Sequence, residues 1–123
     1  MTTSASKATP IKATQIGGPA QQLVELNRAA GDALRQNILQ LVARESFAVL
    51  ELARILDVSQ SALSHHLKLL LSAGLLTRRR EGTSLFYRRA LGHVSHPDLV
   101  RGLYSSIDAL PSAARQADES TWF

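Results

Sequence analysis

Apolar residues recur at helical spacing through much of the chain, and the clearest example follows Asp32. Aspartate often caps helix N-termini, and the apolar positions after it fall at i, i+4, i+7 and i+8, namely Leu34, Ile38, Leu41 and Val42. An earlier helix is predicted to start at Pro19 and to end near Gly31, and it carries Leu23, Val24 and Leu26. A last helix is predicted from Pro97 to Pro111, with Leu99, Leu103, Ile107 and Leu110 on one face. The first and last helices thus carry apolar stripes. Tyr104 and the stripe of the last helix are expected in the core or at an interface, with a ligand pocket as the weaker alternative.

Two further helices are predicted in the middle of the chain, separated by a tight turn. The first is expected to open at Ser46 and to bury Val49, Leu52, Ala53 and Leu56. The turn is Asp57-Val58, and Ser59 caps the second helix, which runs to about Ser72 before Gly74 ends it. Leu63, Leu67 and Leu70 form the buried face of this second helix. Helices joined by so few residues cross steeply, as in a helix-turn-helix.

A β-hairpin is predicted after Gly74. Leu76 to Arg80 and Ser84 to Arg88 are short runs on either side of Glu81-Gly82-Thr83, and the second run has strong β preference. The fold class predicted from the pattern is therefore mainly α with a small β-hairpin, in the order of a winged helix-turn-helix.

Composition supports this class and excludes several others. Only 5% of the 123 residues are aromatic, which favours an aliphatic helical core. The chain has no cysteine, which removes disulfides, thiol catalysis and cysteine-bound metals. It contains neither an apolar leader nor the roughly 20-residue apolar run that crosses a bilayer, so a cytoplasmic protein without a membrane partner is expected.

The net charge of +4 is concentrated in one segment. Residues 62–90 hold six basic residues against Glu81 alone. The first 18 residues have too little apolar surface to order and are predicted to be a disordered tail. Residues 19–110 form the predicted winged helix-turn-helix domain, and residues 111–123 a tail or linker.

The polar face of the Ser59 to Ser72 helix is the candidate DNA-reading surface. The major groove of B-DNA admits one α-helix, and short polar side chains on its outer face can reach base edges. The base-reading candidates are Gln60, Ser61, Ser64 and His65. The helix lacks carboxylates, unlike an ordinary solvated face. His66 lies toward the core side of the helix and is predicted to be structural.

Phosphate contacts are predicted at the margins of this helix and on the hairpin. The candidates are Ser59, Lys68, Arg78, Arg80, Thr83 and Arg88. Side chains alternate along a strand, so Arg79 lies opposite Arg78 and Arg80 and is expected to be solvated or paired with Glu81. Arg89, at the end of its strand, is a weaker candidate.

The same residues resemble a known family. Residues 59–68, Ser-Gln-Ser-Ala-Leu-Ser-His-His-Leu-Lys, followed by Ala-Gly-Leu-Leu at 73–76, Arg-Arg-Glu-Gly at 79–82 and Phe-Tyr-Arg at 86–88, are similar to the ArsR/SmtB family of winged-helix bacterial repressors. The resemblance implies double-stranded DNA as a partner and a homodimer on an imperfect palindrome, formed by the first and last helices. The implied dimer contacts are Leu23, Leu26, Leu99, Leu103 and Ile107.

The family's metal sites are not retained in this sequence. The cysteine pair of arsenic- and cadmium-type sensors would fall at Ala48 and Leu50, and a carboxylate-histidine set would fall near Leu99, Leu110 and Ala113. Neither set can ligate, and His93 and His96 with Asp98 are a weak alternative, so no metal and no cofactor is expected. Residues 47–53 and 79–82 are similar to a Cys-less subgroup linked to S-adenosylmethionine metabolism, which implies S-adenosylhomocysteine or a related metabolite as effector.

An enzyme and a protein-interaction module are the function classes that compete with a repressor. An enzyme would need a nucleophile, a glycine-rich phosphate loop or paired carboxylates near the histidines, and the sequence has none there. A protein-interaction module that uses its basic hairpin on an acidic partner remains the alternative.

Overall fold

The structure is a computed structural model, and it describes residues 17–90 and 97–111. Within those ranges the elements are α1 (Gly18–Ala30), α2 (Ala33–Leu41), β1 (Phe47–Ala48), α3 (Val49–Leu56), α4 (Gln60–Ser72), β2 (Leu76–Glu81), β3 (Ser84–Arg89) and α5 (Pro97–Ala109). The mainly α class with a small hairpin is confirmed. Most of the predicted N-terminal tail, residues 112–123 and the two histidines at 93 and 96 lie outside the described residues.

The core is aliphatic and takes one face from each helix. Ile38 and Leu39 of α2 are fully buried, whereas Leu34 and Leu41, placed on the same stripe by the sequence pattern, are only partly buried. The other core side chains in helices are Leu26, Ala29, Ala30, Leu52, Leu63, Leu67, Leu70, Val100, Tyr104 and Ile107. Tyr104 is therefore a core residue of the protomer.

The helix-turn-helix is formed by α3 and α4. Asp57 closes α3 in the left-handed region, with φ 54° and ψ 50°, and the amide of Val58 donates to the carbonyl of Ala53 at 3.1 Å. The hydroxyl of Ser59 accepts from the amide of Ala62 at 3.1 Å and caps α4. The predicted tight turn and Ser59 cap are confirmed.

The predicted helix start at Ser46 is wrong. Phe47 and Ala48 form β1, which pairs antiparallel with β3 opposite Tyr87 and Phe86. The helix begins only at Val49, where the carboxylate of Glu51 accepts from the amide of Ala48 at 2.9 Å. A partner strand far along the chain thus overrides the local capping signal of Ser46.

The three strands form one antiparallel sheet in the order β1-β3-β2. The hairpin turns through Gly82 and Thr83, and Gly82 has φ +62° while Thr83 has negative φ. Glycine at the first central position with positive φ is the requirement of a type II′ turn. This hairpin, β2 to β3, is the wing.

The wing is fixed to α5 by one buried guanidinium. Arg89, at the end of β3, donates to the carbonyl of Leu39 at 2.9 Å and to both carboxylate oxygens of Asp108 at 2.9 and 2.5 Å. Its guanidinium also lies 4.4 Å from the ring centroid of Tyr104. We call Arg89, Asp108, Tyr104 and Leu39 the Arg89 cluster, and it joins α2, α5 and the wing.

Candidate nucleic-acid interface

The exposed face of α4 is polar and free of carboxylates. Gln60, Ser61, Ser64, His65 and Lys68 are all exposed, and helical geometry places them within an arc of about 140°. The opposite face is buried. The sequence therefore places all four base-reading candidates, with one cation, on the same solvent-facing surface.

His66 holds α4 against the junction of α1 and α2. Its Nδ1 lies 2.9 Å from Nη1 of Arg35 and 3.9 Å from a carboxylate oxygen of Asp32. Arginine can only donate, so Nδ1 of His66 accepts this bond. The side chain is half-buried, in agreement with the predicted structural role.

Asp32 and Arg35 are themselves fixed by the backbone. The amide of Arg35 donates to the Asp32 carboxylate at 3.0 Å, and this hydrogen bond is the main reason that the pKa of Asp32 is lowered from 3.8. The Arg35 guanidinium donates to the carbonyls of Ala29 and Arg28, at 2.5 and 3.3 Å. The position of α4 is thus set by a network that starts at a helix cap.

The wing arginines divide between two faces. Arg78 and Arg80 pair with Tyr87 and Leu85, so they lie on the face that contributes to the core at its base. Arg88 pairs with Thr77 and lies on the other face, as does Arg79. The three predicted phosphate-binding arginines therefore do not share one face, although all three are exposed.

Two of the six basic residues at 62–90 already form ion pairs within the protomer. Arg79 forms an ion pair with Glu81 at 3.0 Å, as predicted, and its guanidinium also contacts Ser46 and lies 5.7 Å from the Phe86 ring. Arg89 is paired with Asp108 and its side chain is 8% exposed, so it is a structural residue. Its place at the end of a strand made Arg89 a weaker phosphate candidate in the sequence. Its partner Asp108 could not be identified there, because it lies 19 residues further along the chain.

Of the six basic residues at 62–90, four are exposed and have no carboxylate partner among residues 17–90 and 97–111. They are Lys68, Arg78, Arg80 and Arg88. Ser59 and Thr83, the other two phosphate candidates, are exposed at the start of α4 and at the turn of the wing. The positive surface is therefore smaller than the sequence count suggests, and one of its cations, Lys68, lies on the polar face of α4.

The terminal helices differ from the predicted dimer contacts at two positions. Leu26 is 1% exposed and Ile107 is 3% exposed within one protomer, so these two predictions are wrong: the side chains face their own core. Leu23 is 42% exposed, and Leu99 and Leu103 are half-buried. The structure adds two exposed apolar side chains at the helix surfaces, Val24 and Leu110.

The described ranges hold no group of three or more His, Cys, Asp or Glu side chains close enough to share a metal ion. No helix in those same ranges combines the length and apolar character needed to cross a membrane.

Known proteins match the chain in sequence and in fold. A family model described as a helix-turn-helix domain matches residues 31–79. A protein named transcriptional repressor SmtB homolog, from Synechocystis, is 39% identical over 75 residues, which is 61% of this chain and 57% of that protein. The chain spans little more than half the length of several curated relatives.

Solved structures match a larger share of the chain than the family model does. HlyU from Vibrio cholerae is 30% identical with a TM-score of 0.62, over 74% of this chain and 97% of that one. The homodimeric winged helix-turn-helix domain of Mb0332 from Mycobacterium bovis, described as a possible ArsR-family regulator, is 26% identical with a TM-score of 0.64, over 82% and 88% of the two chains.

Proposed function

Because the chain belongs to the ArsR/SmtB family of winged helix-turn-helix transcription regulators, we propose that it is a sequence-specific DNA-binding repressor. It acts as a homodimer on an imperfect palindromic operator and is released by a small effector. The observation that carries the proposal is the carboxylate-free polar face of α4 together with four exposed, unpaired cations on that helix and the wing.

In this proposal α4 enters the major groove with its N-terminal half. Gln60 can bind adenine through two hydrogen bonds, and His65 can donate to purine N7. Ser61 and Ser64 are short enough for the helix to approach the base edges closely. The rigid attachment of α4 through Ser59 and His66 supports this role, because base reading requires fixed side-chain origins.

The wing and Lys68 supply the phosphate contacts. Each neutralised phosphate contributes about 0.9 to the slope of log affinity against log salt. Four unpaired cations therefore correspond to a slope of about 3.6 per protomer and about 7 per homodimer.

The homodimer is proposed to form through α1 and α5. Leu23, Val24 and Leu110 are exposed apolar side chains on or next to these helices, and Leu99 and Leu103 are half-buried. A two-fold dimer presents two α4 helices, which matches a palindromic site whose halves lie one helical turn apart.

The effector is proposed from the resemblance to the Cys-less subgroup, with S-adenosylhomocysteine or a related metabolite as the candidate. Isothermal titration calorimetry of the DNA-binding homodimer tests it. Heat of binding together with loss of DNA affinity would support the assignment, and an absence of heat while DNA binding is intact would reject it.

Fluorescence anisotropy tests the DNA-binding proposal. Labelled duplex from upstream of the protein's own gene is compared with a scrambled duplex at several salt concentrations. We expect tighter binding to the native duplex with a slope near 7. Equal, weak binding to both duplexes would contradict a specific operator there, and capture of an acidic protein instead would favour the protein-interaction alternative.

A further inference from the structure

A groove of about 330 Å³ lies between α1, α2 and α4, away from the polar N-terminal half of α4. Its apolar wall is formed by Ala29, Leu69 and Ala73, and its charged rim by Glu25, Arg28 and Arg35. This volume falls within the usual range for small-molecule sites, which combine an apolar lining with a few placed polar groups. Leu69 is 38% exposed although the rest of the α4 surface is mostly polar, and its place in the groove explains this exposure.

The charges on the rim are not neutralised by one another. Glu25 and Arg28 are three residues apart on α1, a spacing that allows an ion pair, yet they form none. Glu25 contacts the side-chain amide of Gln21 at 3.3 Å instead. Within residues 17–90 and 97–111 the guanidinium of Arg28 has neither a hydrogen bond nor an ion pair. The carboxylate of Glu25 and the free guanidinium of Arg28 thus both line the groove without pairing with each other.

Arg35 adds a second cation whose orientation is fixed. Its guanidinium is held by the carbonyls of Ala29 and Arg28 and by Nδ1 of His66. Three of its five N–H groups are used in this way, so two remain for a further acceptor. A group fixed before binding loses little conformational entropy when a ligand arrives.

From this arrangement we propose that the groove binds a small zwitterion with an apolar body, the chemistry of an α-amino acid with an aliphatic side chain. The ligand carboxylate binds Arg28 and the free edge of Arg35, its ammonium binds Glu25, and its side chain packs on Leu69 and the two alanines. The apolar wall alone would accept any small hydrophobic molecule. The separated positive and negative charges of the rim favour a ligand that carries both a carboxylate and an ammonium group.

A ligand in this groove would affect the position of α4 through the contact between Arg35 and His66. A carboxylate on the two free N–H groups of Arg35 would bind the same guanidinium that donates to Nδ1 of His66, and His66 is adjacent to the base-reading candidate His65. Such a ligand would act as an effector if it binds the DNA-free conformation more tightly than the DNA-bound one. This regulatory role rests on the proposed function, whereas the binding site itself does not.

The test is an NMR titration of the full ¹⁵N-labelled chain with L-norleucine, in the absence of DNA. We expect the amides of Arg28, Ala29 and Ala73 to shift. Arg28→Gln and Glu25→Gln should each weaken binding about tenfold or more, because each removes a charge-assisted contact. Arg44→Gln, which removes an exposed cation outside the groove, should bind as the parent does.

Two analogues examine the zwitterion directly. Hexanoate lacks the ammonium of norleucine and pentylammonium lacks its carboxylate, and each should bind about tenfold more weakly or worse. Hexanoate binding as tightly as norleucine would overturn the zwitterion assignment. Absence of any groove shift, or unchanged binding by Arg28→Gln, would overturn the site. Groove amides that move with protein concentration alone would also overturn it, because a second copy would then cover the groove.

DNA anisotropy with and without norleucine separates the two proposals. Groove binding that weakens operator affinity supports the effector role, and groove binding without an effect on affinity rejects that role while the site stands. Failure to bind any operator without norleucine would count against the proposed function, whatever the NMR titration shows.

Discussion

The Arg89 cluster gives the sharpest prediction about what holds the wing in place. We predict that Asp108→Asn lowers the free energy of unfolding by about 1–2 kcal/mol. The Arg89 side chain is 8% exposed and Asp108 is 46% exposed, so their pair lies between the buried and the surface case. Breaking a fully buried pair costs about 3–5 kcal/mol, and an exposed pair contributes about 1 kcal/mol at most.

Urea unfolding at fixed protein concentration measures the effect, because dimerisation would make stability depend on concentration. A loss of about 1–2 kcal/mol corresponds to roughly 5–15 °C in Tm for a domain of this size. Asp98→Asn is the matched control on α5. Asp98 pairs with Arg101, but their side chains are 92% and 73% exposed, so we expect a change of about 0.5 kcal/mol or less.

A double-mutant cycle with Arg89→Met isolates the pair itself. Arg89→Met also removes the bond to the Leu39 carbonyl and the contact with Tyr104, so it should cost about 3 kcal/mol. The coupling between the two substitutions should be about 1–2 kcal/mol. If Asp108→Asn costs no more than Asp98→Asn, or the cycle shows no coupling, the wing is not held by this contact.

Three further predictions follow from individual side chains. The pKa of Asp32 is lowered from 3.8 in the folded state, so its stabilisation is present above that value and lost as the pH falls through the folded pKa. Asp32→Ala should therefore destabilise by about 1 kcal/mol at neutral pH and by progressively less in acid unfolding measurements, and an unchanged difference at low pH would contradict this. Burial raises the pKa of Tyr104 from 10.0 to about 12, so its stabilisation is complete below pH 10.0 and is lost as the pH rises toward 12. Tyr104→Phe should cost about 1–2 kcal/mol at neutral pH, because the hydroxyl no longer bonds the carbonyls of Leu75 and Ala90. Its free energy of unfolding should then fall less than that of the parent between pH 10.0 and about 12, and an equal fall in both proteins would refute the argument. Glu81→Gln releases the paired Arg79, so it should raise the salt slope of DNA binding by up to about 0.9 per protomer, and a slope that falls would show that the ion pair positions the wing instead.

The sequence predicted the elements that depend on local signals. The apolar stripe of α4, its Ser59 cap and the tight turn at Asp57-Val58 are all local, and each lies where the pattern placed it. The hairpin followed from β preference and from Gly82. The pairing of Arg79 with Glu81 was one of the two outcomes predicted for Arg79, because Glu81 lies only two residues along the same strand.

The features that the sequence missed depend on contacts between distant segments. Ser46 has the local signature of a cap, yet Phe47 and Ala48 pair with β3, about 40 residues further on, and delay the helix. Leu26 and Ile107 fit the stripe of an interface, but periodicity alone does not distinguish a partner's surface from the protomer's own core. The Arg89 cluster and the groove each form only where three elements meet in the fold, so neither can be predicted from one segment of the sequence.

The measurement that tests the central claim most directly compares His65→Ala with Arg80→Ala in anisotropy titrations of operator and scrambled duplex. The account predicts that His65→Ala reduces the preference for operator by about 1–3 kcal/mol, because a base contact is lost. Arg80→Ala should weaken binding to both duplexes together and lower the salt slope by about 0.9 per protomer. Equal losses on both duplexes for His65→Ala, with the preference for operator unchanged, would contradict base reading by this face of α4.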